Sequence, residues 1–227
     1  MAKRLVIGNW KMNPETFEAA KAVARKTRAI SAKLCNTDVV VCPPFPFIAA
    51  CVSRSQPPAF QIGAQTVSLE EGGAHTGEVS AKTLQSLNVE FVIAGHSEAR
   101  AAGDTDETVS RKIGRIVEAG MIAVVCVGEK TRDENGSHLD FLKKQIRKTF
   151  AGISPDKTKR VILAYEPIWA IGAKEAMAPE QVYEMSLFVK KVFADIFGHE
   201  AGHKVRVLYG GSVNFRNAGD IIKVGRV

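Results

Sequence analysis

VILAYEPIWAIG, residues 161–172, changes character midway. Residues 161–165 are an apolar run ending in Tyr165. Glu166 and Pro167 then break it, and the segment closes on Gly172. Beyond it Pro179 opens a stretch in which Val182, Met185, Val189, Val192 and Ile196 recur at intervals of three and four, the period of one helix face. Pro is well placed there, because the first helical turn has no use for its missing N–H. Strand, polar turn, helix: repeated, this unit makes a parallel sheet covered by helices.

The same unit recurs on both sides. Upstream lie short apolar runs at residues 4–7, 39–41, 60–64, 91–94 and 122–127, and downstream one at 205–209. Between them run longer amphipathic stretches. In residues 14–33, Phe17, Ala20, Ala24 and Thr27, together with Val23, Ile30 and Leu34, predict one buried helix face. A last helix is predicted at residues 217–223. The period is about 30 residues of strand plus helix, and no low-complexity stretch or linker interrupts it, so residues 1–227 read as a single domain. Seven units are present. A closed eight-strand barrel needs one more, and an open seven-strand sheet leaves two unpaired edges.

Composition sets outer bounds. Apolar residues make up 45% and charged residues 24% of the chain, ordinary for a globular protein with a sizeable core. No apolar run reaches the roughly 18 residues of a membrane span, and the first ten residues read as a strand rather than a signal peptide. The four cysteines, Cys35, Cys42, Cys51 and Cys126, show no CxxC or zinc-finger spacing and read as reduced thiols of a cytoplasmic protein. The net charge of +7 is spread along the chain. It suits steering of anionic substrates and lacks the dense basic stripe of a nucleic-acid binder.

In parallel α/β architectures the chemistry gathers where strands end. Those junctions read GNWKMN after the first strand, AGHSE after the fourth, CVGE at the fifth, AYEPIWAIG at the sixth and YGGSVN at the seventh. They set Asn9, Lys11, His96, Glu98, Glu129, Glu166 and Ser212 at the same end of the strands. A carboxylate, an imidazole and an ammonium are the parts for removing a proton next to a carbonyl and stabilising the oxyanion that results. Glycine amides after the sixth and seventh strands suit a phosphate. GxxxxGK and strand-linked GxGxxG are both absent, so nucleotide chemistry has no support. One rival motif is present: His199-Glu200-Ala201-Gly202-His203 satisfies HExxH. Gly198 and Gly202 argue against a continuing helix there, which predicts a loop instead of a zinc site. A non-catalytic scaffold is the other rival, favoured only by the absent eighth strand.

GNWKMN, AGHSE, AYEPIWAIG and YGGSVN, in this order and spacing, resemble the signature segments of the triosephosphate isomerase family, and the likeness extends over essentially the whole chain. It implies an α/β fold of the (β/α)8 TIM-barrel type, with the eighth strand–helix unit missing from residues 1–227. That absence predicts a cut or omitted tail. The implied activity is interconversion of two triose phosphates, in glycolysis and gluconeogenesis, with no cofactor and no metal. By the same resemblance Glu166 is the base, His96 a neutral imidazole that polarises the carbonyl, and Lys11 with Asn9 the groups that offset substrate charge. Gly172 and Ser212 present amides to the phosphate, and Glu98 and Cys126 support from behind. Pro167, Ile168, Trp169, Ala170, Ile171, Gly172, Ala173, Lys174, Glu175, Ala176 and Met177 form a closing lid that excludes water.

The resemblance further implies a homodimer built through the loop after the third strand, residues 67–77, with a small phosphorylated triose as substrate and neither nucleic acid nor membrane as partner. Three departures from the family pattern carry expectations of their own. Ala173 and Lys174 at the lid tip predict altered opening rates. Ala99, where the family carries an arginine, predicts a weaker dimer. A molecule that truly ended at Val227 would be expected to show weak activity and poor phosphate affinity.

Overall fold

A computed structural model describes residues 3–53, 57–172 and 176–227. The chain folds into two compact units, one comprising Met1–Ile93 with Arg115–Ala123, the other Ala94–Gly114 with Val124–Val227.

In the first unit β1 (Arg4–Asn9) pairs in parallel with β2 (Thr37–Cys42), in register from Arg4 opposite Thr37 to Asn9 opposite Cys42. On the other side of β2, Val39 lies opposite Phe60 of β3 (Phe60–Ala64). Gly63 in turn lies opposite Phe91 of β4 (Phe91–Ala94). The amide of Ile122, where β5 (Ile122–Val127) begins, donates to the Glu90 carbonyl at 2.8 Å. In the second unit the Glu166 amide donates to the carbonyl of Val127 at 2.8 Å, setting β6 (Val161–Tyr165) beside β5. β7 (Arg206–Tyr209) pairs in parallel with β6 from Ile162 opposite Arg206 to Tyr165 opposite Tyr209. The strand order therefore follows the chain, β1 to β7.

Every residue of β4 and β6, and all of β5 but its first, is buried. Parallel strands covered on both faces read as continuous apolar runs, which is why these boundaries are legible in the sequence. The helices in chain order are α1 (Phe17–Ser31), α2 (Ile48–Cys51), α3 (Ala81–Ser86), α4 (Ser97–Ala101), α5 (Asp106–Glu118), α6 (Ser137–Thr149), α7 (Pro179–Phe197), α8 (His199–Lys204) and α9 (Ala218–Lys223). None is long and apolar enough to cross a membrane, among the described residues.

Two expectations need correction. α1 starts where Thr16 caps it, its hydroxyl accepting from the Ala19 amide at 3.3 Å. The helix does not bury the whole predicted face. Ala20, Ala24 and Ser31 are buried, whereas Phe17, Val23, Ile30 and Leu34 stand out, Ile30 at 62% exposure. The small residues form the stripe that approaches α2 and β2, because an alanine lets two backbones come close. Val23 and Ile30 lie on a second stripe that this contact does not use, while Phe17 stands in the first turn and Leu34 beyond the helix end. The second correction concerns residues 199–204, which form α8 and not a loop. A Cβ on Gly202 would lie 2.4 Å from the Ala194 Cβ and 3.0 Å from the Lys190 carbonyl. The glycine is there to let α8 dock on α7.

α7 runs as the spacing predicts, from Pro179 to the residue before Gly198, with Val182, Met185, Val189 and Val192 buried. Its Phe193 meets Phe150, just past α6, edge to face with centroids 5.2 Å apart, and Phe197 completes the cluster.

Candidate active site

Each junction singled out in the sequence follows the carboxyl end of its strand. In the first unit Asn9 is the last residue of β1, and its side-chain Oδ1 accepts the Lys11 amide at 2.9 Å. Lys11 has a positive φ of 54°, a conformation that costs an ordinary residue about 1–2 kcal/mol. Side-chain contacts from two neighbouring strand ends hold it there. One is that Asn9 bond. The other comes from Gln65, just beyond β3, whose side-chain amide donates to the Lys11 carbonyl at 2.7 Å and to the Cys42 carbonyl at 2.9 Å. Gln65 was not legible as a site residue: its role is to fix a backbone, and that leaves no signature beyond its place at a strand end.

In the second unit β4 delivers Gly95 and His96. His96 precedes α4, and its Nδ1 accepts the Glu98 amide at 3.2 Å. With Nδ1 taken up as an acceptor, Nε2 is the ring nitrogen placed to donate. Nε2 lies 3.5 Å from Oε1 of Glu166. The other carboxylate oxygen, Oε2, accepts the backbone amide of Ser97 at 3.3 Å. Glu166 is 6% exposed, so its carboxylate is largely withdrawn from water. Two glycines make room for it. A Cβ on Gly210 would sit 2.7 Å from the Glu166 Cγ, and one on Gly128 would sit 1.7 Å from its carbonyl oxygen. Gly128 is fixed in turn by Gln145, whose side chain accepts its amide at 2.9 Å.

Glu98, expected as a support, is 3.6 Å from His96 Nδ1 through its Oε2. Cys126 is buried in β5, and its carbonyl receives Arg100 Nη2 at 3.5 Å. Arg100, beside Ala99, does more. It donates to Gly95 O at 2.8 Å and Asp106 Oδ1 at 2.7 Å, so the one arginine left in AGHSEAR fastens the turn that carries His96 to α5.

The predicted lid is described at both ends; Ala173, Lys174 and Glu175 lie outside the described residues. Trp169 Nε1 donates to Glu129 Oε1 at 3.0 Å. The Gly172 amide donates to Ser212 Oγ at 3.1 Å, and that hydroxyl donates to the Ala170 carbonyl at 2.8 Å. The Met177 amide donates to the Tyr209 hydroxyl at 3.3 Å. Gly172 and Ser212, the two residues assigned to phosphate, are thus bonded to each other, while Asn217 Nδ2 holds the Ser212 carbonyl at 3.1 Å.

Beneath this segment Glu129 is fully buried. Its Oε1 accepts from Trp169, from the Tyr165 hydroxyl at 2.8 Å and from Arg132 Nε at 2.8 Å. Burial, aided by the neighbouring Glu129 carboxylate, pushes the Tyr165 phenol well above its usual value, so it stays a donor. Ser97 and Arg132 escaped the sequence reading. A backbone donor has no signature, and Arg132 sits in an irregular segment after β5 with no motif around it.

His199, Glu200 and His203 lie on α8, with Glu200 paired to Lys204 at 2.5 Å. Among the described residues no three His, Cys, Asp or Glu side chains are placed to hold a metal ion.

A family model described as Triosephosphate isomerase matches residues 4–227. The chain is 37% identical to the Triosephosphate isomerase of Flavobacterium johnsoniae over 223 residues, covering 97% of this chain and 89% of that protein. It is 36% identical to that of Endomicrobium trichonymphae over 98% of this chain and 89% of the relative. The figures for Acetivibrio thermocellus are 36%, 99% and 90%.

Proposed function

Because the chain belongs to the triosephosphate isomerase family, we propose that it interconverts dihydroxyacetone phosphate and D-glyceraldehyde 3-phosphate, with no cofactor. The observation that supports the mechanism is the approach of His96 Nε2 to Glu166 Oε1 at 3.5 Å, with His96 Nδ1 accepting the Glu98 amide.

Glu166, held by the Ser97 amide, takes a proton from the carbon next to the substrate carbonyl. The electron pair left on that carbon moves onto the carbonyl oxygen, giving an enediolate. In this reading His96, as a neutral imidazole, donates its Nε2–H to that oxygen as charge develops there. After protons redistribute between the two oxygens, Glu166 returns its proton to the adjacent carbon. Lys11 and Asn9 offset the substrate's negative charge. The support for them is the motif GNWKMN and the preset backbone of Lys11. Gly172 and Ser212 take the phosphate, the Gly172 amide exchanging its hydroxyl partner for a phosphate oxygen. Glu98 and Cys126 support the His96 turn.

The same reading extends to a homodimer formed through the loop after β3. Residues 71–78 of that loop are exposed throughout, while Arg115 grips its base at the Leu69 carbonyl (2.9 Å) and at Glu71 (2.6 Å). A monomer at all concentrations in sedimentation would remove this part. A cytoplasmic location and a place in glycolysis and gluconeogenesis belong to the proposal as well.

A coupled assay of glyceraldehyde 3-phosphate conversion tests the reaction. Glu166→Asp withdraws the carboxylate by about one methylene, and a misplacement near 1 Å costs a reacting geometry on the order of 10²-fold or more. Activity that survives unchanged in the variant would dismiss Glu166 as the base.

A further inference from the structure

Arg132, in the segment after β5, reaches both described ends of the predicted lid. Its guanidinium reaches four side chains. Nε donates to Glu129 Oε1 at 2.8 Å, and Nη2 donates to the Tyr165 hydroxyl at 2.7 Å. Nη2 also meets the sulfur of Met177 at 4.0 Å. The planar group lies over the Trp169 ring, 5.3 Å from its centroid. Trp169 stands at one end of the segment 167–177 and Met177 at the other, so a single side chain touches both ends. Tyr165 is the residue before Glu166, which brings the same guanidinium within two links of the base.

Charge explains why an arginine is there. Three donors converge on one oxygen of the buried Glu129, while among the described residues its Oε2 has no hydrogen-bond partner. A buried carboxylate in that state needs a counter-charge close by. A lysine would supply the charge but only as a point. The planar fork of arginine is what lets one group bond the carboxylate and the phenol, lie on the indole and still face the sulfur.

We propose that Arg132 is a positioning residue that clamps both ends of the lid, through Trp169 and Met177, and so sets how firmly the segment is held over the reacting substrate. The inference rests on the isomerase reading for its consequence in turnover, but not for the clamp itself. If the clamp is lost, the lid ends loosen and substrate phosphate is held less well. The enediolate then has time to fail: its electron pair forms a carbon–carbon double bond, the carbon–oxygen bond to phosphate breaks, and inorganic phosphate leaves with the bonding pair. The remaining enol takes up a proton to give a three-carbon ketoaldehyde. No oxidant or partner is needed.

The test compares wild type, Arg132→Met, Arg132→Lys and Met177→Ala in the full chain. Solvent exchange of the Trp169 indole N–H, assigned by its absence in Trp169→Phe, reads the clamp whether or not the protein is active. Arg132→Met is expected to speed that exchange about tenfold, raise KM about tenfold and raise phosphate released per turnover several-fold, with a smaller fall in kcat. Arg132→Lys, keeping the charge without the fork, is expected to recover stability but not KM or phosphate retention. Met177→Ala is expected to move KM in the same direction to a lesser degree. If Arg132→Met does not fold, the lysine and alanine variants carry the test. Full restoration by lysine would reduce Arg132 to a counter-ion for Glu129 and overturn the clamp. Unchanged indole exchange in every Arg132 variant would overturn it too. An inactive wild type would instead sink the isomerase reading, and the exchange measurement would still decide the clamp.

Discussion

Gly210→Ala adds one methyl group beside the proposed base. The new Cβ would stand 2.7 Å from the Glu166 Cγ and 3.3 Å from its Oε1. Ordinary contact begins at 3.4 Å, so the carboxylate stem must retreat by about 0.7 Å. Gly210 has no φ in the left-handed region, so no strain of that kind opposes alanine. The cost therefore falls on Glu166, whose 3.3 Å bond to the Ser97 amide has little slack. Displacements near 1 Å cost a catalytic geometry about 10²-fold, equivalent to about 2.7 kcal/mol of barrier. The variant should lose that much kcat in the coupled assay while its melting temperature moves by only a few degrees. Gly219→Ala is the control. Nothing lies within 4 Å of its added Cβ, it sits in α9, and it should be as active as wild type. A Gly210→Ala enzyme with wild-type kcat would refute the placement of Glu166 as the group whose position limits the reaction.

Gly202→Ala should destabilise the fold without touching turnover per folded molecule. Its Cβ would collide with Ala194 at 2.4 Å, and overpacking of this kind costs about 1–3 kcal/mol, read as a lower denaturant midpoint. In thiol labelling near pH 8, Cys35 alone should react quickly and all four cysteines should react after unfolding; Cys42, Cys51 and Cys126 are buried. Burial pushes the Cys42 thiol up to about 12 and the Cys51 thiol up to about 11, from 9.0. The unfolded chain thus gives up these protons first, so stability should be undiminished by them below pH 9 and fall as pH rises from 9 toward 11 and 12. Denaturant midpoints that hold level across that interval in wild type, or that fall equally in a Cys42→Ser, Cys51→Ser protein, would contradict it.

The strands were legible where both faces are covered. β3 to β6 fall where the apolar runs do, whereas β1 extends beyond its predicted run to Asn9 and β2 begins earlier, at Thr37. Polar residues at strand ends look like turns until the hydrogen bonds are seen. The amphipathic period of α1 gave a helix but not the choice between its two apolar stripes, since periodicity counts apolar residues and is blind to which neighbour stands close. Gly202 was misread for a related reason: a glycine that breaks helices in isolation also permits the tightest approach between them. Side chains with chemistry do stand at the strand ends where the spacing put them, and His96 and Glu166 come within 3.5 Å of each other. What steers them was not legible, because Ser97 acts through its amide, Gln65 through another residue's carbonyl and Arg132 from a segment without pattern.

Both compact units are interrupted along the chain. The first needs Arg115–Ala123, which emerge after residues 94–114 of the second have been made. On the ribosome the carbonyl of Glu90 has to wait for the amide of Ile122, about thirty peptide bonds and a few seconds later at ordinary rates of synthesis. A nascent chain stalled near residue 100 would leave β4 with one flank unpaired, so the sheet is assembled by a return visit of the chain and not by simple addition at a growing end.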